Sequence, residues 1–214
     1  MLVKDVMHHP VLTLDPTVSL GQAYTRMLEH NIRHIPVLQA GKLVGMITDR
    51  DLRLATSSFH PGGPKPPETP VGEIMSRPPI TGDPLDPVEE AARTMRERKI
   101  GALPILEGET LVGIVTGIDL LEALLRLTGV TKPSGRLEVR LPDHPGELAR
   151  LTGFLANKGL NIHSLLTYPS GPEGVLVVAR VGTPETRALA EELRHNGFEV
   201  RWPPDKFSPG SSVS

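Results

Sequence analysis

Two threonine–aspartate pairs carry the most chemistry in this chain: Thr48 with Asp51 in "GMITDRDL", Gly45–Leu52, and Thr116 with Asp119 in "GIVTGIDL", Gly113–Leu120. Each follows a short apolar run that reads as a strand and opens a stretch with helical spacing. Where a strand meets a helix in this way, the first N–H groups lack partners and the helix dipole favours an anion, so a phosphate fits there. The threonine adds a hydroxyl. The aspartate three residues on lies on the same helix face, about 4.5 Å further along the axis. A carboxylate repels phosphate but accepts both hydroxyls of a ribose, at about 1.5–3 kcal/mol per charge-assisted hydrogen bond. The glycine three residues before each threonine permits close backbone approach, and the apolar strands nearby can hold a flat base. The bland alternative is a simple N-cap, which one such phrase would satisfy. Two copies, in register with a longer repeat, make the ligand reading more specific.

That longer repeat sets Val3–Leu52 on Val71–Leu120 without a gap, sharing Met7/Met75, Asp15-Pro16/Asp83-Pro84, Met27/Met95, Pro36/Pro104 and Leu43-Val44-Gly45/Leu111-Val112-Gly113. Each copy predicts β-α-β-β-α. An extended piece ("VLTL", "PPIT") and an Asp-Pro turn lead into a helix over Ser19–His30 or Pro87–Lys99. Two strands follow, "HIPVL" and "KLVGMIT" or "ALPIL" and "TLVGIVT", and a last helix begins at Asp49 or Gly117. Ser19 with Gln22 forms a capping box, while Asp86, Pro87 and Glu89 stand as N-cap, N1 and N3. A single copy would leave an apolar sheet face bare, so the two are expected to pack on each other.

A third unit has a different order, βαββαβ, from "RLEVRL" to "FEVRW", the split ferredoxin-like sandwich. Its first helix places Pro145, Leu148, Leu151 and Leu155 on one stripe. The expected fold class is thus α+β or α/β, with repeats over 1–57 and 71–128 and the third unit over 136–202. A linker rich in proline and glycine spans 58–70, a shorter one spans 129–135, and the tail, 203–214, has the composition of a disordered segment.

The copies differ in charge where it matters. The first carries Arg33, His34 and Arg50, able to neutralise phosphate oxygens; the second has Gly101, Ala102 and Ile118 there. One high-affinity site per pair is the resulting expectation. The chain of 214 residues has 23 Lys plus Arg against 25 Asp plus Glu, a net charge of −2, which offers no basic field for nucleic acid. Without cysteine there is no disulfide framework, thiolate metal site or thiol nucleophile. The histidines show no metal-ligand spacing. No apolar run is long enough to span a bilayer, and the start has no signal-peptide pattern, so a cytoplasmic location is expected.

"IRHIPVL…KLVGMITDRDL" and "IGALPIL…TLVGIVTGIDL" resemble the two halves of a CBS-domain pair, a module that binds adenine nucleotides in regulatory proteins. The resemblance implies that Thr48 with Asp51, and Thr116 with Asp119, contact phosphate and ribose, and that Thr13 and Thr81 lie near the base. "LPDHPGELARLTGFLANKGLNIHSL" resembles the ACT domain, a small ligand-sensing fold attached to proteins of amino-acid metabolism. It implies that Asp143, the Gly146 turn and Asn161 hold an amino acid across a homodimer interface. Asp143 departs from the asparagine of serine-sensing members: an anion there suits an ammonium but repels a carboxylate. The whole order resembles the acetoin utilisation B-type proteins. These resemblances imply a non-enzymatic sensor with no cofactor beyond an adenine nucleotide (AMP, ADP or ATP) as regulatory ligand, and an unidentified regulated protein as partner. The alternatives are a ligand-free scaffold subunit and a nucleotide hydrolase; the latter needs metal-binding carboxylates or a placed base beside the phosphates, where the chain offers Asp49 and Asp51 around Thr48 and only Asp119 around Thr116.

Overall fold

Strong local signals place the elements of both repeats where the sequence predicts them. The first contains α1 (Leu20–Glu29), the hairpin β1 (His34–Gln39) and β2 (Lys42–Thr48), and α2 (Asp49–Ala55). The second contains α3 (Val88–Arg98), the hairpin β3 (Ala102–Glu107) and β4 (Thr110–Thr116), and α4 (Gly117–Leu127). The computed structural model describes residues 1–172 and 174–205, in two compact units, Met1–Ala123 and Leu124–Ser214. The part of the predicted tail from 206 onward lies outside the described residues.

Three expectations change within the first unit. The opening strands shrink to single parallel bridges, Leu14 with Val37 and Gly82 with Ile105. The Asp-Pro turns that follow stop the ladder, because proline has no N–H to donate. Helix α3 starts one residue late, with Pro87 as N-cap, since the Asp86 carboxylate accepts from the Asp83 N–H at 2.8 Å within the preceding turn. The proline-rich linker is a docked strap. Its Thr69 and Pro67 carbonyls accept from Leu20 N–H and Gly21 N–H, both at 2.9 Å. Together with the Ser19–Gln22 capping box, these bonds satisfy the first donors of α1.

The two copies exchange their opening turns. Val3, fully buried, packs among Ala91, Met95, Leu103, Ile105 and Val115 of the second repeat. Reciprocally, Val71 and Met75 enter the first-repeat core with Leu14, Leu20, Ala23, Met27, Ile35, Val37 and Ile47. Backbone pairing follows the exchange: His8 N–H donates to Ile114 O at 2.8 Å, and Ser76 N–H to Met46 O at 2.9 Å.

The second unit holds β5 (Gly135–Pro142), α5 (Glu147–Asn157), β6 (Ile162–Pro169), β7 (Gly174–Val181), α6 (Thr186–His195) and β8 (Glu199–Trp202). Its antiparallel sheet runs β6-β7-β5-β8, the order the βαββαβ reading requires. Burial alternates along β5, with Leu137, Val139 and Leu141 facing Leu151, Leu155, Leu189, Ala190 and Leu193. Pro145 and Leu148 do not join the predicted stripe: both are exposed, and Phe154 packs on this core instead. Phe154 meets Phe198 edge-on at 5.9 Å, with the Arg150 guanidinium 4.0 Å above the Phe198 ring.

Candidate functional site

At the junction of β2 and α2 the Thr48–Asp51 pair closes on itself. Asp51 Oδ2 accepts from Thr48 N–H at 2.9 Å and from the Thr48 hydroxyl at 2.7 Å, while the hydroxyl accepts from Asp51 N–H at 3.1 Å. This is a reciprocal capping box with Asp in the third position. The Asp49 N–H is bonded as well, to Arg33 O at 3.0 Å. The predicted division of labour shifts accordingly. The hydroxyl hydrogen is committed to the carboxylate, so Thr48 orients Asp51. Its other oxygen, Oδ1, makes no hydrogen bond among the described residues.

Glycine serves packing here rather than ligand approach. A Cβ on Gly45 would fall onto the Met75 sulfur, and one on Gly113 onto the Met7 sulfur. Each glycine therefore makes room for the methionine of the exchanged turn.

Arg33 precedes β1 and Arg50 lies on α2; both are exposed. His34 is half-buried, and burial pushes its imidazole below the ordinary value of 6.5; Asp49 and Asp51 oppose the shift and Arg33 adds to it. The neutral form is thus favoured at pH 7, so that of Arg33, His34 and Arg50 the two arginines carry the charge. The ring reaches across to the second repeat, where a Cβ on Gly101 would stand 2.6 Å from its Nε2. The Arg-His against Gly-Ala asymmetry is therefore also an interlock: the ring of one copy fills the space the other leaves. Thr13 is half-buried beside Leu14, whose N–H donates to Pro36 O at 3.1 Å; Thr81 is exposed beside Gly82, whose N–H donates to Pro104 O at 3.0 Å.

The second junction repeats the box and adds a residue. Asp119 Oδ2 accepts from the Thr116 N–H and hydroxyl, each at 2.7 Å, but its Oδ1 is bonded to His8 Nε2 at 2.7 Å. Asp119 is the buried polar residue of the described core, whereas the His8 side chain is 69% exposed. Sequence reasoning passed over His8, because its contact depends on the exchange of opening turns.

In the second unit, Asp143, Gly146 and Asn161 are all exposed. Gly146, at φ 97°, is the N-cap of α5, and no side chain, that of Asp143 included, caps this helix start. Asn161 accepts from Gly182 N–H through its carbonyl at 2.9 Å. Among the described residues, no cluster of three acidic or histidine side chains could hold a metal, and no helix is long and apolar enough to cross a membrane.

The family model for the CBS domain matches residues 3–58 and 71–126, and that for the ACT domain matches 135–196. The chain belongs to the CBS-domain family: it is a tandem CBS pair followed by an ACT domain, and thereby a CBS-pair regulatory protein. The CBS domain-containing protein YhcV of Bacillus subtilis is 40% identical over 118 residues, 55% of this chain and 81% of the relative. Among solved structures, an AcuB protein of Vibrio cholerae described as a putative acetoin utilization protein is 33% identical, with a TM-score of 0.53, over 61% of this chain and 95% of that one. The CBS pair of protein MJ0100, in complex with 5'-methylthioadenosine and S-adenosyl-L-methionine, is 30% identical with a TM-score of 0.52, over 62% and 98%. Similarity to an enzyme, the L-aspartate semialdehyde sulfurtransferase of Methanocaldococcus jannaschii, is 33% over 121 residues that make up 22% of that protein.

Proposed function

We propose that this protein is a non-catalytic cytoplasmic sensor whose CBS pair binds an adenine nucleotide, AMP, ADP or ATP. The observation that carries the reading is the oriented Asp51 carboxylate, held by Thr48 through Oδ2 with Oδ1 left to accept from a ribose diol. Arg33 and Arg50 supply the charge for phosphate oxygens, and Thr13 and Thr81 line the approach to the base. The adenosine-type ligands of the MJ0100 pair support this ligand class. The ACT unit serves as the homodimerising element: the open N–H groups of the helix start at Gly146 suit the carboxylate of an amino acid and Asp143 its ammonium group, while Asn161, at the opposite end of the sheet, reaches the ligand from the partner chain across the dimer interface. The regulated protein belongs to a metabolic pathway of the acetoin type, by analogy with the AcuB neighbour. Binding changes the relation between the halves and so the state passed to that partner.

Calorimetry and thermal melting against AMP, ADP, ATP and S-adenosylmethionine test the reading. A ligand at 100 times its Kd raises stability by about 2.7 kcal/mol, and Asp51→Ala abolishes the effect. An unchanged melting temperature across the panel would leave the scaffold reading, which the self-closed capping boxes favour.

A further inference from the structure

We infer that His8 occupies the ribose-accepting oxygen of the second half-site, so that the CBS pair takes one nucleotide per chain, at Asp51. The inference rests on the nucleotide reading above and deepens it by naming the residue that sets occupancy.

The two half-sites are related by the repeat, and their backbones are paired alike. His8 exchanges N–H···O bonds with Ile114 at 2.8 and 3.1 Å; Ser76, the residue equivalent to His8, does the same with Met46 at 2.9 and 3.1 Å. Each opening turn is pinned beside its own half-site by a methionine packed on a glycine, Met7 on Gly113 and Met75 on Gly45. The difference lies in the side chain that follows. The imidazole of His8 reaches Asp119 Oδ1 at 2.7 Å, whereas the short Ser76 hydroxyl turns back to donate to Met46 O at 3.2 Å.

Counting acceptors gives the consequence. A carboxylate offers roughly four lone-pair positions, two on each oxygen. Thr48 fills both on Asp51 Oδ2, and Thr116 fills both on Asp119 Oδ2. A ribose diol then needs both positions of Oδ1. Asp51 has them; Asp119 has given one to His8 Nε2–H, on a carboxylate that is itself buried. A ligand at the second half-site must break that bond and leave the imidazole to find another partner. The same half also places the apolar Ile118 where the first has Arg50, so that cation is not there to offset the loss.

The test is calorimetric stoichiometry with AMP and with ATP, on the full chain. Wild type should titrate to one nucleotide per chain and His8→Ser, which copies Ser76, to two. Asp51→Ala combined with His8→Ser should retain one, locating the released site at Asp119. The His8 side chain is mostly exposed, so the variant keeps the fold, and an unchanged melting temperature without ligand verifies this. Two nucleotides on wild type, one on His8→Ser, or none on the double variant would each overturn the role of His8 while leaving nucleotide binding standing. No binding by any of these proteins would overturn the nucleotide reading itself, and His8 with it.

Discussion

Replacing Val3 by alanine tests the exchange of opening turns on which the geometry of both half-sites depends. Val3 is fully buried, yet its surroundings are α3, β3 and β4, more than eighty residues ahead of it in the chain. The substitution removes two methyl-sized groups, about 0.8 kcal/mol each in transfer, and a rigid core adds a cavity term, giving about 2–3 kcal/mol. At this size a loss of 1 kcal/mol lowers Tm by about 3–5 °C, so a drop of about 6–15 °C is expected. Location discriminates better than magnitude. Amide chemical shifts should move most at Leu103, Ile105 and Val115, and Val71→Ala should instead perturb Ile35, Val37 and Ile47. Val3→Ala melting within about 2 °C of wild type, or with shifts concentrated on β1 and β2, would refute the exchange.

Two further outcomes follow from the His34 interlock. Gly101→Ala places a methyl 2.6 Å from the His34 ring and should cost about 1–3 kcal/mol; His34→Ala in the same chain should recover most of it, as a double-mutant cycle of denaturant midpoints would show. The depressed His34 value means that the unfolded chain takes up a proton first. The contribution of His34 to stability is therefore complete above 6.5 and is lost as pH falls from there toward the folded value, and melting curves between pH 7.5 and 5.5 should slope less in His34→Ala than in wild type.

How much of this was legible in the chain varies by element. The Ser19–Gln22 capping box and the strand–helix junctions at Thr48 and Thr116 are local, involving residues three apart, and they stand as read. The linker reads as a linker because its prolines cannot join a helix or strand, but its carbonyls still accept hydrogen bonds, and α1 uses them. Leu148 fits the helical stripe by spacing alone; at the first turn of α5 it stays in solvent, while Phe154, outside the predicted set, reaches Phe198.

The sequence by itself determined that one β-α-β-β-α unit is used twice and that a βαββαβ unit follows, because periodicity, turn residues and capping are short-range properties of the backbone. It also marked the threonine–aspartate pairs. Tertiary structure alone decided what surrounds them. Which core Val3 and Val71 enter, why Gly45 and Gly113 must lack a Cβ, and that His8 rather than solvent meets Asp119 all depend on contacts between distant segments. A gapless repeat is blind to such contacts, since exchanging two equivalent turns leaves every local pattern unchanged. The two junctions thus share one sequence phrase; the sequence shows that they differ in charge, and the tertiary structure adds one oxygen, unbonded on Asp51 among the described residues and bonded to His8 on Asp119.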